Sequence, residues 1–462
     1  LEEFHRFPTG GAFDADGSYR WNINRILSEI FAGLRKVAAD GRPVRGVSAD
    51  SWGVDYVWLG AAGNPLGKPR HYRDARNDAA FKRLLAKIPR ETIFAESGIQ
   101  FLALNTLTQF EAELHERTLP AGAARFLFIA DYVNAQLGGR PVVEESLAST
   151  SQLYNPRTRS WSLPLARALG LPENVLPEIV PSATVTGTLS RFGRVVTGLP
   201  AGTPVIATCS HDTGAAVFAV PADSGSDWAY LSSGTWSLLG AELPAPVVTA
   251  GALEANFTNE IGFAHSVRFL KNIVGMWIVQ ECRRAWSAAG NDISYADLDR
   301  LAAAAEPRRS FINPADPRFA APGKMPQKIA DYCRETAQPE PRTAGEFARA
   351  VFESLALFYT KTLATLDALT GRRTRRLHVV GGGSRNALLN QATADAAGIE
   401  VIAGPVEATA AGNILLQALA LGDLPDHAAA RAVVRASFPV QTFTPADGAA
   451  WREARERFAK LP

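Results

Sequence analysis

An α/β protein of two domains is the fold this sequence predicts, and three features predict it. Helical and strand-like periodicities alternate from the first apolar stripe onward. Toward the C-terminus a helix, a strand, a Gly-rich turn, a helix and a strand follow one another, which is a βαβ unit. The length, 462 residues, exceeds what one core usually organises at about 150 residues per domain.

In chain order, Ile23, Ile26, Leu27, Ile30, Phe31 and Leu34 recur at helical spacing, so residues 21–39 are expected as a helix. Gly41-Arg-Pro43 stops it. Residues 44–59 read as extended structure interrupted at Gly53, and Ala61-Ala-Gly63-Asn64 is turn chemistry that predicts a hairpin. Residues 93–184 read as mostly helical and connecting, with a helix over 126–137. Val205-Ile-Ala-Thr208 is a short buried strand running into Cys209-Ser-His-Asp-Thr213, and 215–220 continue as an apolar segment. Pro221-Ala-Asp-Ser-Gly225 breaks the chain, which places the domains at 1–220 and 221–462. Residues 228–239 then begin a strand pair around Ser232-Ser-Gly-Thr235. Phe347, Val351, Leu355, Phe358 and Leu363 mark one face of a helix ended by Gly371-Arg-Arg. Leu377-His-Val-Val380 is the next strand. Gly381-Gly-Gly383 turns into a helix over 386–397, and Ile399-Glu-Val-Ile402 is a strand expected to pair in parallel.

Composition excludes several classes. Of all residues 47% are hydrophobic and 20% charged, and 48 basic against 46 acidic side chains leave +2. No basic field therefore points to nucleic acid or an anionic membrane. The 3 cysteines, Cys209, Cys282 and Cys333, are too few and too far apart for a disulfide framework or a zinc ribbon, and they fit a reducing compartment. No apolar run reaches about 18 residues and no apolar leader follows Leu1, so a cytoplasmic location is expected. Walker A, H-R-D, H-E-x-x-H and G-x-S-x-G motifs are absent.

Four short stretches carry chemistry, each with a plainer alternative. The Gly381–Gly383 turn lacks the third glycine of a dinucleotide fingerprint, because Asn386 stands there. It lets a ligand approach bare backbone at a helix start, or it is a tight turn only. Ser232-Ser-Gly-Thr-Trp-Ser237 offers hydroxyl and N–H donors to a phosphate, or is an ordinary polar hairpin. Ser210-His-Asp-Thr213 follows a strand, where α/β sheets bind their ligands. There Asp212 is a candidate general base, with His211 and Thr213 as polar binders, or else Asp212 caps the next helix. Adjacent residues cannot converge as a Ser–His–Asp triad. Asp50-Ser-Trp-Gly-Val-Asp55 sets Trp52 beside carboxylates, a pairing suited to sugars, though strand alternation puts Asp50 and Asp55 on opposite faces unless Gly53 bulges.

In order, these stretches resemble the FGGY carbohydrate kinases. The resemblance is carried by His5-Arg-Phe7, Asp50-Ser-Trp-Gly-Val-Asp55, Tyr72-Arg-Asp-Ala-Arg76, Ser97-Gly-Ile-Gln-Phe101, Asn105-Thr-Leu107, Ser210-His-Asp-Thr213, Leu231-Ser-Ser-Gly-Thr-Trp-Ser237 and Leu270-Lys-Asn272. Cys333-Arg-Glu-Thr-Ala-Gln-Pro339, Val380-Gly-Gly-Gly383, Leu388-Leu-Asn-Gln391 and Ala403-Gly-Pro-Val-Glu-Ala408 extend it to nearly the whole chain. It implies two ribonuclease H-like domains of the actin/sugar-kinase type with a cleft between them. It implies a kinase of a ketose or polyol that uses ATP and Mg²⁺, with no nucleic-acid or membrane partner.

By the same resemblance Asp212 is the catalytic base. Gly53, His211, Thr213 and Asn272 match sugar contacts, and Thr235, Gln280 and Gly382 match nucleotide contacts. Asn272 and Gln280 are 8 residues apart, about two helical turns, so one helix is expected to present both. These kinases open with a strand and a phosphate hairpin carrying a Mg²⁺-linked Asp; here Leu1 falls where that hairpin would already have ended, so the expectation is a truncated or late-numbered chain, with a polypeptide lacking that catalytic element as the alternative, and the metal ligands are left unassigned. The competing reading is a non-catalytic sugar-binding protein on the same fold. A nicotinamide oxidoreductase, suggested by the βαβ unit alone, ranks behind both.

Overall fold

The apolar stripe after Trp21 folds as helix Ile23–Ala39, its first turn held by Asn22, whose side chain accepts from Arg25 N at 3.1 Å. Ile23, Ile26, Leu27 and Phe31 are its buried face. The computed structural model describes residues 1–223, 225 and 227–462; Ser224, within the predicted chain break, and Ser226 lie outside the described residues. Strand Tyr56–Leu59 is buried along its length and pairs antiparallel with Arg125–Phe128. Residues 126–128 are thus strand, and the helix expected over 126–137 runs only from Ile129 to Leu137. Phe126 and Phe128 belong to a run of aromatics whose packing favours the sheet: Phe126 meets Phe110 edge-on at 5.1 Å and Trp58 at 5.8 Å. The turn at Ala61–Asn64 forms, with Gly60 N donating to Asn64 O, but its second arm is a single bridge from Leu59 to Pro65. Proline has no N–H to extend the ladder.

The extended stretch after Val44 runs parallel to the segment around Pro204–Ala207, bridging Val47 to Val205 and Ser51 to His211. The apolar residues that follow form helix Asp212–Phe218. All of this belongs to one compact unit, built from Leu1–Ala219, Glu242–Phe269 and Thr409–Ala430.

The second unit comprises Val220–Ala241, Leu270–Ala408 and Arg431–Pro462. Its strands include Trp228–Ser233, antiparallel to Trp236–Leu243 and parallel to Arg376–Val380. Arg376–Val380 pairs in parallel with Glu400–Ala403, the βαβ crossing predicted, and Gln441–Phe443 closes that edge antiparallel. Helix Ala344–Thr370 starts with a capping box in which Thr343 N donates to Glu346 Oε2 at 3.1 Å and Glu346 N to Thr343 Oγ1 at 3.3 Å. It stops at Gly371, whose φ of 66° suits glycine. Helix Ala387–Ala397 is capped by Asn386, which accepts from Leu389 N at 2.8 Å. The residue that spoils the dinucleotide fingerprint is a helix cap. No helix among the described residues is long and apolar enough to cross a membrane.

Candidate active site

In the first unit, Ser210-His-Asp-Thr213 is pinned from both sides by its backbone. Ser51 N donates to Ser210 O and Asp212 N to Ser51 O, each at 2.9 Å. Opposite, Ser210 N donates to Glu144 Oε2 and His211 N to Ser146 Oγ, each at 3.0 Å. Glu144 is wholly buried, and loss of solvent raises its carboxyl above the ordinary range against the pull of Ser146 and Ser182.

The helix cap is His211, and Asp212 is the first helical residue. Its Oδ1 accepts from Thr213 N at 2.7 Å and from Thr213 Oγ1 at 3.2 Å, while its Oδ2 meets no protein partner among the described residues. The side chain is 44% exposed. One oxygen is anchored and the other is open, which a plain capping role does not require.

Around Asp212 the unit gathers residues from distant segments. His211 Nε2 lies 3.4 Å from Asp212 Oδ1. His211 Nδ1 lies 3.1 Å from Arg268 Nη2 and 3.3 Å from Glu260 Oε2. Thr409 Oγ1 donates to Asp212 O at 3.2 Å, and Asn413 Nδ2 donates to Asp50 Oδ2 at 2.5 Å. Asp50 is pushed up to about 7, first by loss of solvent and then by the charge of Asp212, with Asn413 and His211 pulling the other way.

Gly53 is a close-packing position, since a Cβ there would lie 2.8 Å from the Thr150 side chain. The next residue, Val54, has φ 68° and donates its N–H to Thr150 Oγ1 at 3.1 Å. The kink sends Asp55 away from Asp50. Asp55 is fully buried and accepts from Trp21 Nε1 at 2.5 Å, Trp52 Nε1 at 3.0 Å and Gln109 Nε2 at 3.2 Å. The two carboxylates of the Asp50–Asp55 stretch therefore sit in separate surroundings, and Asp55 is a core acceptor.

The second unit brings together Thr235, Gln280 and the glycine turn. Thr235 Oγ1 contacts Gln280 Oε1 at 3.2 Å, and Thr235 O accepts from Gly275 N at 3.2 Å and Trp277 N at 3.1 Å. A Cβ on Gly383 would lie 1.9 Å from Ser233 Oγ and one on Gly381 3.0 Å from Ser233 O. Gly382 has nothing within 4 Å of that position, so its face is open. Gln280 also lines a shallow depression of about 600 Å³ with Arg283, Arg284, Ser287, Asp292 and Tyr295.

The expectation that one helix presents Asn272 and Gln280 is wrong. Asn272 lies in strand Val267–Val274, and Gln280 in helix Trp277–Ala288. Gly275 separates them because its Cα packs on the hairpin, where a Cβ would lie 2.3 Å from Ser237 Oγ. Gly53, His211, Asp212 and Thr213 share one unit, while Asn272, Thr235, Gln280 and Gly382 belong to the other. Glu144, Glu260, Arg268 and Asn413 were not found from sequence, as none belongs to a motif or lies beside one of the candidates.

Comparison with known proteins matches family models in sequence order along the chain. The model of the FGGY family of carbohydrate kinases, N-terminal domain, matches residues 5–219, and that of the C-terminal domain matches residues 229–421. A rhamnulokinase of Bacteroides thetaiotaomicron is 44% identical, covering 99% of this chain and 93% of its own. One from Enterococcus faecalis is 42% identical, covering 96% and 88%. Among solved structures, a ligand-bound xylulose kinase from Lactobacillus acidophilus superposes with a TM-score of 0.81 at 14% identity, over 98% of this chain and 91% of that one. A Plasmodium falciparum glycerol kinase with ADP gives 0.78 at 15% identity, over 98% and 91%. These likenesses show the actin/sugar-kinase fold class expected from sequence. With both family models matched in order and close relatives along nearly its full length, the chain belongs to the FGGY family of carbohydrate kinases.

Proposed function

We propose that the protein transfers the γ-phosphoryl group of ATP to the C1 hydroxyl of L-rhamnulose, with Asp212 as the base. Identity of 39–44% to curated rhamnulokinases supports the substrate. The observation that carries the mechanism is the half-exposed Asp212 carboxylate, anchored through Oδ1 and open at Oδ2. Residues 1–220 supply the sugar side, with Gly53, His211 and Thr213 beside Asp212. Residues 221–462 supply Asn272 to the sugar and Thr235, Gln280 and Gly382 to the nucleotide. Asp212 Oδ2 takes the C1 hydroxyl proton as that oxygen bonds to the γ-phosphorus, and the bond from phosphorus to the bridging oxygen breaks to release ADP. In such a loose transition state most of the protein's work is positioning and charge neutralisation.

Magnesium suits this donor set as an ion held largely by phosphate and water. No cluster of three or more metal-ligating side chains occurs among the described residues, whereas Asp50 is a carboxylate raised first by loss of solvent and then by the charge of Asp212, which a cation would relieve. Asp50 would be the protein oxygen offered to it, and the bound ion would neutralise charge on the transferring phosphates. The test is ADP release from ATP with a panel of ketoses and polyols. L-Rhamnulose is expected to give the highest kcat/KM; faster turnover of L-fuculose, xylulose or glycerol would move the substrate within the family, and sugar binding without ADP release would leave a non-catalytic binder.

A further inference from the structure

We infer that Arg268 is a positioning residue for the reaction: it fixes the tautomer of His211 so that the ring points an N–H at Asp212. This rests on the reading of Asp212 as the base. Arg268 is fully buried, an uncommon place for a guanidinium unless it is paired. Its Nε donates to Ile261 O at 3.2 Å, which locks the plane of the group. Its Nη2 then lies 3.1 Å from His211 Nδ1 and 3.1 Å from Glu260 Oε2. A guanidinium has no lone pair to offer, so the ring nitrogen facing it must be the bare one.

In a neutral imidazole one nitrogen carries the proton, and with Nδ1 accepting it must be Nε2. That nitrogen is the one 3.4 Å from Asp212 Oδ1. The contact is long for a hydrogen bond, as catalytic contacts often are before substrate arrives. Its consequence is directional. An Nε2–H draws Oδ1 toward the ring and Thr213 N, and leaves Oδ2 as the oxygen that meets the sugar hydroxyl. The opposite tautomer would set a lone pair against the carboxylate and turn it.

Glu260 has the complementary part. Its carboxylate neutralises the buried guanidinium, yet at 3.3 Å from Nδ1 it would take the ring proton to its own side if Arg268 were removed. Arg268 and Glu260 therefore act as opposing partners at one ring nitrogen, and the guanidinium decides the outcome.

The experiment is a long-range ¹H–¹⁵N correlation spectrum of the full chain labelled with ¹⁵N-histidine, His211 being assigned by its loss in His211→Gln. The wild-type ring is expected as the Nε2–H tautomer. Arg268→Met should convert it to Nδ1–H and lower kcat about a hundredfold, the cost of a misplaced reacting group, with a smaller change in KM. Replacing both partners, Arg268→Met with Glu260→Met, removes the competing acceptor and the unpaired buried charge together, and should restore Nε2–H and most of kcat. A role limited to packing predicts no such recovery. An Nδ1–H ring in the wild type overturns the inference without any variant having to fold, as does Arg268→Met with kcat within twofold of wild type. Activity retained in Asp212→Asn would instead overturn the base reading, and the tautomer of His211 would still stand as measured.

Discussion

Asp212 and Asn differ by one proton-accepting oxygen, and that difference separates the two roles the sequence left open. As a base, Asp212 replaced by Asn should lose about 10²–10⁴ in kcat with sugar and ATP affinities little changed. As a cap, Asn serves about as well as Asp and turnover would persist above a tenth of wild type. Initial rates and calorimetry on the folded variant decide between them. As a candidate the residue was legible because it sits in a short polar stretch straight after a buried strand, where residue type and position are read locally. Arg268, Glu260 and Asn413 were not legible: they reach the site from segments that only folding brings there, and Asn413 meets Asp50 across 363 residues of sequence. Asp55 misled for a related reason, since nothing local tells that Trp21, Trp52 and Gln109 all turn their N–H groups onto it. Burial pushes Asp55 from the ordinary 3.8 up to about 7, against those donors. Between these values the folded chain holds the proton more tightly than the unfolded one, so this group's contribution is full below pH 4 and is lost as pH rises through 7. Denaturation midpoints should therefore shift in favour of Asp55→Asn relative to wild type between pH 4 and pH 8, by up to about 4 kcal/mol at 1.36 kcal/mol per pH unit. A difference that stays constant with pH would contradict this.

Two adjacent glycines in the turn after strand Arg376–Val380 make opposite demands on an added methyl. At Gly383 it would strike Ser233 Oγ and Cβ, so Gly383→Ala should destabilise by about 1–3 kcal/mol, seen as a lower melting temperature. At Gly382 the space is open, so Gly382→Ala should melt like wild type yet raise KM for ATP several-fold, because the methyl stands where a nucleotide would lie. Equal effects at the two positions would remove the glycine turn from the nucleotide site. The turn and its helices were readable from punctuation: Gly371 ends one helix and Asn386 begins the next. Where pattern failed, a pairing partner far along the chain decided the element. Residues 126–128 joined Tyr56–Leu59 as strand, and the approach of Gly275 to Ser237 cut a supposed helix between Asn272 and Gln280.

The division into two units predicts how ligands distribute protection across the chain. L-Rhamnulose should slow amide exchange around Asp212 and Asp50 and also in Thr409–Ala430, which belongs to the same unit although it follows the glycine turn in sequence. ADP should protect the Ser233–Trp236 hairpin and the Gly381–Gly383 turn, and at a hundred times its Kd should add about 2.7 kcal/mol to the unit that binds it. Protection of Thr409–Ala430 by ADP but not by sugar would place that segment with the wrong ligand. The sequence offered a break near residue 221, and the first segment of one unit ends at Ala219, but a break marks where a chain leaves a unit and carries no sign of where it returns. It returns at Glu242 and again at Thr409. That last return has a consequence for a chain still on the ribosome. Asp212 waits 197 residues for Thr409, and Asp50 waits longer for Asn413. Until that segment has emerged, the nascent chain has the Asp212 loop without the Thr409 and Asn413 contacts behind it, so on the proposed reading the sugar side of the site is completed late in synthesis.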